Sequence, residues 1–199
     1  YIDEEALMKL IQRQGYLDFL RRNRNRPIVK VVSGIRRCGK STLFRLFKDE
    51  LLSEGIKPEQ IISINFEELE YEHLRDYHSL YQYILERMQP DEMNYIFLDE
   101  IQHFDQFHRV VDSLFVKENT DLYITGSNAY FMSCDIATLL TGRYVEIQML
   151  PLSFSEFYHS KYDGNQYSLI PAYESYLRES SFPYTQQLGG EDFDIQEYL

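Results

Sequence analysis

Five short apolar runs punctuate the first 150 residues. They are Ile28-Val29-Lys30-Val31-Val32 behind Pro27, Ile61-Ile62-Ser63-Ile64-Asn65-Phe66, Tyr95-Ile96-Phe97-Leu98, Leu122-Tyr123-Ile124-Thr125, and Tyr144 to Leu150. Nearly continuous apolar character over so few residues predicts strands covered on both faces. Helix-spaced stripes lie between them. Leu43, Leu46, Phe47 and Leu51 mark one face of a helix over 41–52, ended by Gly55 and Pro58. Leu74, Tyr77, Tyr81, Ile84, Leu85 and Met88 predict a second helix from Tyr71 to Met88, stopped by Pro90. Phe107, Val110, Val111, Leu114 and Phe115 predict a third. A leading helical stretch covers residues 3–22, with Gly15 as a candidate break. Strands alternating with helices imply an α/β domain with a parallel sheet and helices on both faces. After Pro151 the pattern changes to two helices, over 153–162 and 169–179. The chain therefore reads as a core over 1–150, with 1–26 as its helical lead-in, and a small helical appendage over 151–199.

The first strand runs into Gly34-Ile35-Arg36-Arg37-Cys38-Gly39-Lys40-Ser41, which matches G-x-x-x-x-G-K-[ST], the phosphate-binding P-loop. Gly34 and Gly39 permit backbone angles and close approach that a side chain forbids. Inward-facing N–H groups make an anion nest, and the following helix aims its positive end at the phosphates. Lys40 reaches the β- and γ-phosphates, and the Ser41 hydroxyl is a Mg2+ ligand. Gly34, Arg37, Cys38, Gly39, Lys40, Ser41 and Thr42 are the candidate ATP-binding residues. Arg36 and Arg37 have a second reading, as solvated side chains or partners of nearby acids.

The third strand ends in Asp99-Glu100, and acids at the C-terminal edge of a parallel sheet face the ligand crevice. Asp99 is placed to hold Mg2+, and Glu100 to orient and deprotonate an attacking water. The strand at 122–125 is the candidate for insertion between the P-loop strand and the Asp-Glu strand. It ends in Thr125-Gly126-Ser127-Asn128. Asn128 and Ser127 are candidates to sense the γ-phosphate, against the reading of an ordinary turn. Arg143, after Gly142, is a candidate to stabilise transition-state charge in its own subunit or a neighbour's, or a structural ion pair. His73, His78, His103, His108 and His159 show no metal-ligand spacing and read as surface residues.

Charge narrows the picture. The net charge of -12 does not support nucleic-acid binding by this stretch, since phosphate contacts need clustered Lys and Arg. Arg21, Arg22, Arg24 and Arg26 form a local basic turn, read as solvated, with a partner or nucleic-acid contact as the alternative. Two cysteines, Cys38 and Cys134, make no disulfide framework, and reduced thiols point to the cytoplasm. No apolar run reaches transmembrane length and no signal peptide is visible. A guanine-reading Asn-Lys-x-Asp motif is absent, which argues against a GTPase. Paired acids on a remote strand favour water over a kinase's acceptor.

The loop with Thr42-Leu43, together with Ile64-Asn65-Phe66-Glu67, Leu98-Asp99-Glu100-Ile101-Gln102, Thr125-Gly126-Ser127-Asn128, Leu140-Thr141-Gly142-Arg143 and Pro151-Leu152-Ser153-Phe154-Ser155-Glu156-Phe157, resembles a prokaryotic AAA-type ATPase family. The resemblance spans about residues 12–160. It implies a P-loop NTPase three-layer sandwich of sheet order 5-1-4-3-2. It implies ATP binding through Gly39, Lys40, Ser41 and Thr42, metal handling by Asp99, water activation by Glu100, and a working role for Arg143. It further implies an attached C-terminal domain beyond this stretch. One departure is visible: Ser180-Ser181-Phe182-Pro183 stands where the family usually has Gly-Gly before Phe/Leu-Pro. The expected function is Mg-ATP hydrolysis driving a conformational change in an attached domain or protein partner, with oligomerisation open. The alternative is a nucleotide-gated module with little turnover.

Overall fold

The computed structural model describes residues 11, 13–74, 76–104, 106–133, 138, 140, 142–162, 167–179 and 181–183. By compactness the chain falls into two units. The larger comprises Gln14–Gly34 and Lys40–Met149; the smaller gathers Ile11, Arg13, Ile35–Gly39 and the described residues from Leu150 onward.

The larger unit runs α1 (Gln14–Asn23), β1 (Val29–Gly34), α2 (Lys40–Ser53), β2 (Ile61–Asn65), α3 (Tyr77–Leu85), β3 (Asn94–Asp99), α4 (Phe107–Phe115), β4 (Thr120–Ser127), α5 (Asn128–Ser133) and β5 (Tyr144–Met149). Its five strands form one all-parallel sheet in the order β2-β3-β4-β1-β5, the expected 5-1-4-3-2 read from the other edge. This is the P-loop NTPase three-layer α/β fold. β1 and β3 are buried along their whole length, as the apolar runs predict. The edge strands differ. β5 buries fully only Met149, and β2 alternates half-buried and buried positions, because an edge strand has a neighbour on one side only.

Alternation along β3 and β4 sorts the core. Ile96, Leu98 and Ile124 point to one face, where they pack with Phe104, Phe107, Val111 and Leu114. Phe97 and Tyr123, opposite each other in register, point to the other and stack with centroids 4.7 Å apart. Phe44 and Phe47 of α2 sit edge-on or tilted against these rings at 5.2 and 5.4 Å. Each buried ring contributes about 1.5–3 kcal/mol. Together they seat α2 so that its first residues lie over the C-terminal ends of the strands. On the surface, Arg21 bridges α1 to Glu50 of α2, and Arg24 pairs with Glu54.

A buried polar knot also joins β1 to β4. Lys30 and Asp121 pair with both side chains fully buried. The Lys30 ammonium donates to Arg26 O at 2.8 Å, and Asp121 Oδ2 accepts from Tyr123 Oη and the Asn25 N–H, each at 2.8 Å. Burial pushes Lys30 below the usual lysine range despite Asp121, and burial with Asp121 nearby pushes Tyr123 up.

The predicted single helix from Tyr71 to Met88 is two elements, a short 3-10 turn at Leu69–Leu74 and then α3. Asp76 causes the break. Its carboxylate caps α3 by accepting from His78 N and Ser79 N at 3.1 and 3.0 Å. The Ser79 hydroxyl, which also donates to this carboxylate, and then the Ser79 N–H hold the Asp76 carboxyl below the ordinary range.

The smaller unit holds α6 (Phe154–Tyr162) and α7 (Leu169–Glu179). They meet through aromatic rings: Phe154 against Tyr173 at 5.1 Å, and Phe157 against Tyr176 at 5.3 Å. Tyr176 Oη donates to Leu152 O at 2.8 Å. Ser153 and Glu156 form a capping box at the start of α6. Arg13, 5% exposed, is its polar centre. It donates to both Glu156 oxygens at 2.7 and 3.1 Å, to Leu150 O at 2.6 Å, to Pro151 O at 3.2 Å and to Cys38 O at 3.4 Å. Burial alone raises the Glu156 carboxyl, but Arg13 and the Ser153 N–H carry it below the ordinary range. No described helix is long and apolar enough to cross a membrane.

Candidate nucleotide site

The loop leaves β1 at Gly34 and enters α2 at Lys40. Within it the Cys38 N–H donates to Ile35 O at 3.4 Å, and Cys38 is buried. Two residues are left-handed: Gly39 at φ 101° and Arg37 at φ 67°. Gly39 adopts this at little cost; Arg37 carries strain of about 1–3 kcal/mol, of a kind concentrated at functional loops. Gly34 ends the extended strand without a positive φ, so its backbone does not need glycine there. Arg36 and Arg37 are exposed.

Beyond the loop, Lys40 is buried at the start of α2. Its ammonium lies 3.2 Å from Glu100 Oε1 and donates to Gly34 O at 3.4 Å. Ser41, exposed, lies near enough to the Asp99 carboxylate to favour its charged form, and Thr42 follows half-buried. Asp99 ends β3. Burial pushes its carboxyl above the ordinary range, while Ser41, Thr125 and Lys40 pull the other way. Glu100, 6% exposed, leaves the strand in the left-handed region at φ 54°. For a non-glycine residue this is strained, and here it turns the carboxylate toward Lys40.

Thr125 in β4 links the two acids. Its hydroxyl donates to Asp99 Oδ1 and accepts the Glu100 N–H at 2.9 Å. Gln102 donates its amide to Glu100 Oε2. Sequence reasoning gave neither residue a role. Thr125 reads as strand and Gln102 as part of a motif, and only the β3–β4 pairing brings them to the acids.

The sequence candidates thus divide. Lys40, Ser41, Asp99 and Glu100 converge. Ser127 ends β4, where its hydroxyl accepts the Tyr130 N–H at 3.4 Å and so helps cap α5. Asn128 opens α5, and its side chain lies outside the described residues. Arg143 precedes β5, and its carbonyl accepts the Val29 N–H at the start of β1. The register pairs Val29 with Tyr144 and Gly34 with Met149, so Arg143 stands a whole strand length from Gly34. Its guanidinium faces Asp112 at 3.8 Å and the Phe115 ring at 5.5 Å. His73, His78, His103 and His159 are exposed and His108 is half-buried.

Comparison with known proteins finds relatives and a shared fold. An uncharacterized protein of Haemophilus influenzae is 42% identical over 176 residues, covering 87% of this chain and 44% of that protein. An uncharacterized protein of Methanocaldococcus jannaschii is 30% identical over 187 residues, covering 86% of this chain and 40% of that protein. The chain therefore spans less than half the length of these relatives. Among solved structures, the Walker-type ATPase PABY2304 of Pyrococcus abyssi shares the fold, with a TM-score of 0.62 at 18% identity, covering 94% of this chain and 69% of that one. The sequence model of the AAA domain family matches residues 26–158. The chain belongs to that family, as a nucleotide-binding module of the P-loop ATPase type.

Proposed function

We propose that this chain binds ATP with Mg2+ and hydrolyses it, and that turnover drives a conformational change in an attached domain or partner. The observation that carries this reading is the meeting of a P-loop lysine, a serine–carboxylate pair and a second buried carboxylate at one end of the sheet. The Ser41 hydroxyl and the nearby Asp99 carboxylate are hard oxygen donors and suit Mg2+. A Mg2+ ion held by Ser41 and Asp99 would supply neutralisation of phosphate charge. The ATP-binding residues are Gly34, Arg37, Cys38, Gly39, Lys40, Ser41 and Thr42, with Lys40 leaving Glu100 for the β- and γ-phosphate oxygens. Glu100, so released, orients a water and takes its proton. The water oxygen bonds to the γ-phosphorus as the bond to the bridging oxygen breaks, giving ADP and inorganic phosphate.

Asn128, with Ser127, senses the γ-phosphate. The place of Arg143, at the other end of β1 from Gly34, favours action on a neighbouring subunit's nucleotide, which requires oligomerisation. The relatives' greater length leaves room for the moving C-terminal domain.

The test is phosphate release from ATP and Mg2+ by the parent and by Glu100→Gln. Turnover lost in the variant, with ATP still bound, is the expected result. Parental turnover in the variant sinks the assignment of Glu100. No turnover in either, with ATP still raising the melting temperature, replaces this reading with a nucleotide-gated module.

A further inference from the structure

We propose that Gln102 is a positioning residue for Glu100. The inference rests on the reading of Glu100 as the base. After the left-handed turn at Glu100, the 3-10 turn Ile101–His103 folds the Gln102 side chain back over its neighbour. Its Nε2 donates to Glu100 Oε2, and its Oε1 accepts the Ser127 N–H at 3.3 Å. Chemistry fixes the orientation of the amide. A carboxylate only accepts and a backbone N–H only donates, so one flip of the amide satisfies both partners and the other satisfies neither. A carboxylate or an apolar chain at 102 cannot serve both.

Space for this bridge is made by Gly126, whose added Cβ would lie 3.1 Å from Gln102 Oε1. Glu100 is therefore held at three points: Lys40 on Oε1, Gln102 on Oε2 and Thr125 on its N–H. Phosphate draws Lys40 away and frees Oε1 for water. The other two contacts remain and keep the carboxylate aimed. Gln102 thereby ties the base to the end of β4.

The experiment uses Gln102→Glu, which keeps size and polarity but loses the amide donor, and Gln102→Met, which keeps length and loses both bonds. In each, kcat falls about ten- to a hundredfold, as a misplaced catalytic group costs. The Kd for ATP and the melting temperature stay near the parent's. A packing role predicts instead that stability and affinity fall along with kcat; that result overturns the proposal. Parental kcat in both variants, with Glu100→Gln dead, also overturns it and leaves the base assignment standing. Parental turnover in Glu100→Gln removes the base assignment itself. A readout independent of turnover is the Gln102 side-chain amide in 1H–15N spectra. Its protons lie downfield and return to the free-glutamine position in Glu100→Ala. Free-glutamine shifts in the parent overturn the proposal whether or not ATP is hydrolysed.

Discussion

Asp121→Ala tests how β1 and β4 are held in the register that aligns the P-loop strand with Thr125 and Ser127. The substitution leaves the Lys30 ammonium buried with the Arg26 carbonyl and takes the acceptor from Tyr123 Oη and from the Asn25 N–H. Removing one member of a buried ion pair costs about 3–5 kcal/mol, which for a chain of this size lowers the melting temperature by about 6–20 °C. Thermal unfolding followed by circular dichroism at pH 7 measures it. The pH dependence carries a sign. Burial already holds Lys30 below the usual lysine range, and losing Asp121 lowers it further. Between the folded and unfolded pKa the unfolded chain binds more protons, so stability rises with pH and the variant's deficit shrinks toward pH 10. The double change Lys30→Met with Asp121→Leu removes both charges and recovers much of the loss. An Asp121→Ala melting temperature within about 2 °C of the parent at pH 7, or a deficit that grows with pH, refutes the reasoning.

Three further outcomes are expected. Lys40→Ala weakens ATP binding about ten- to a hundredfold, the worth of a lost charged hydrogen bond, as titration of a fluorescent nucleotide would measure; unchanged affinity counts against the loop as the phosphate site. Gly126→Ala puts a Cβ 2.7 Å from Phe131 Cζ and 3.1 Å from Gln102 Oε1. It overpacks the strand end by about 1–3 kcal/mol, read as a lower melting temperature, and an unshifted melt argues against that packing. Glu156→Gln lowers stability at pH 7. Because the folded Glu156 carboxyl is held low, its contribution is complete above its unfolded value near 4.5 and disappears as pH falls through the folded one. The gap between parent and variant should close in acid, and a gap independent of pH contradicts the pairing with Arg13.

Contiguous signals carried far here. Strand identity came from unbroken apolar runs, and the four residues at the centre of the site came from two short motifs. What stayed hidden depended on pairs distant in sequence. Arg13 sits in a stretch that reads as helix, and nothing near it announces Glu156 or the carbonyl of Cys38. Lys30 looks like an interruption in an apolar run, and Asp121 lies just before the predicted strand at 122–125; only the parallel register makes them partners. The helix over 71–88 failed for a local reason. Its apolar spacing continues across Asp76, but that carboxylate competes for backbone N–H groups and restarts the helix. Gln102 was in plain view, yet its meaning depends on a turn whose left-handed start at Glu100 no periodicity reports.

The contacts of Arg13 also shape how this chain is free to drift through descent. Three of its described acceptors, at Cys38, Leu150 and Pro151, are main-chain carbonyls, which every amino acid supplies. Among the described residues, only Glu156 answers it with a side chain. Residues 38, 150 and 151 can therefore be replaced without disturbing these bonds, whereas 13 and 156 must change together or not at all. Two positions 143 residues apart should carry one shared evolutionary signal, set by a single guanidinium.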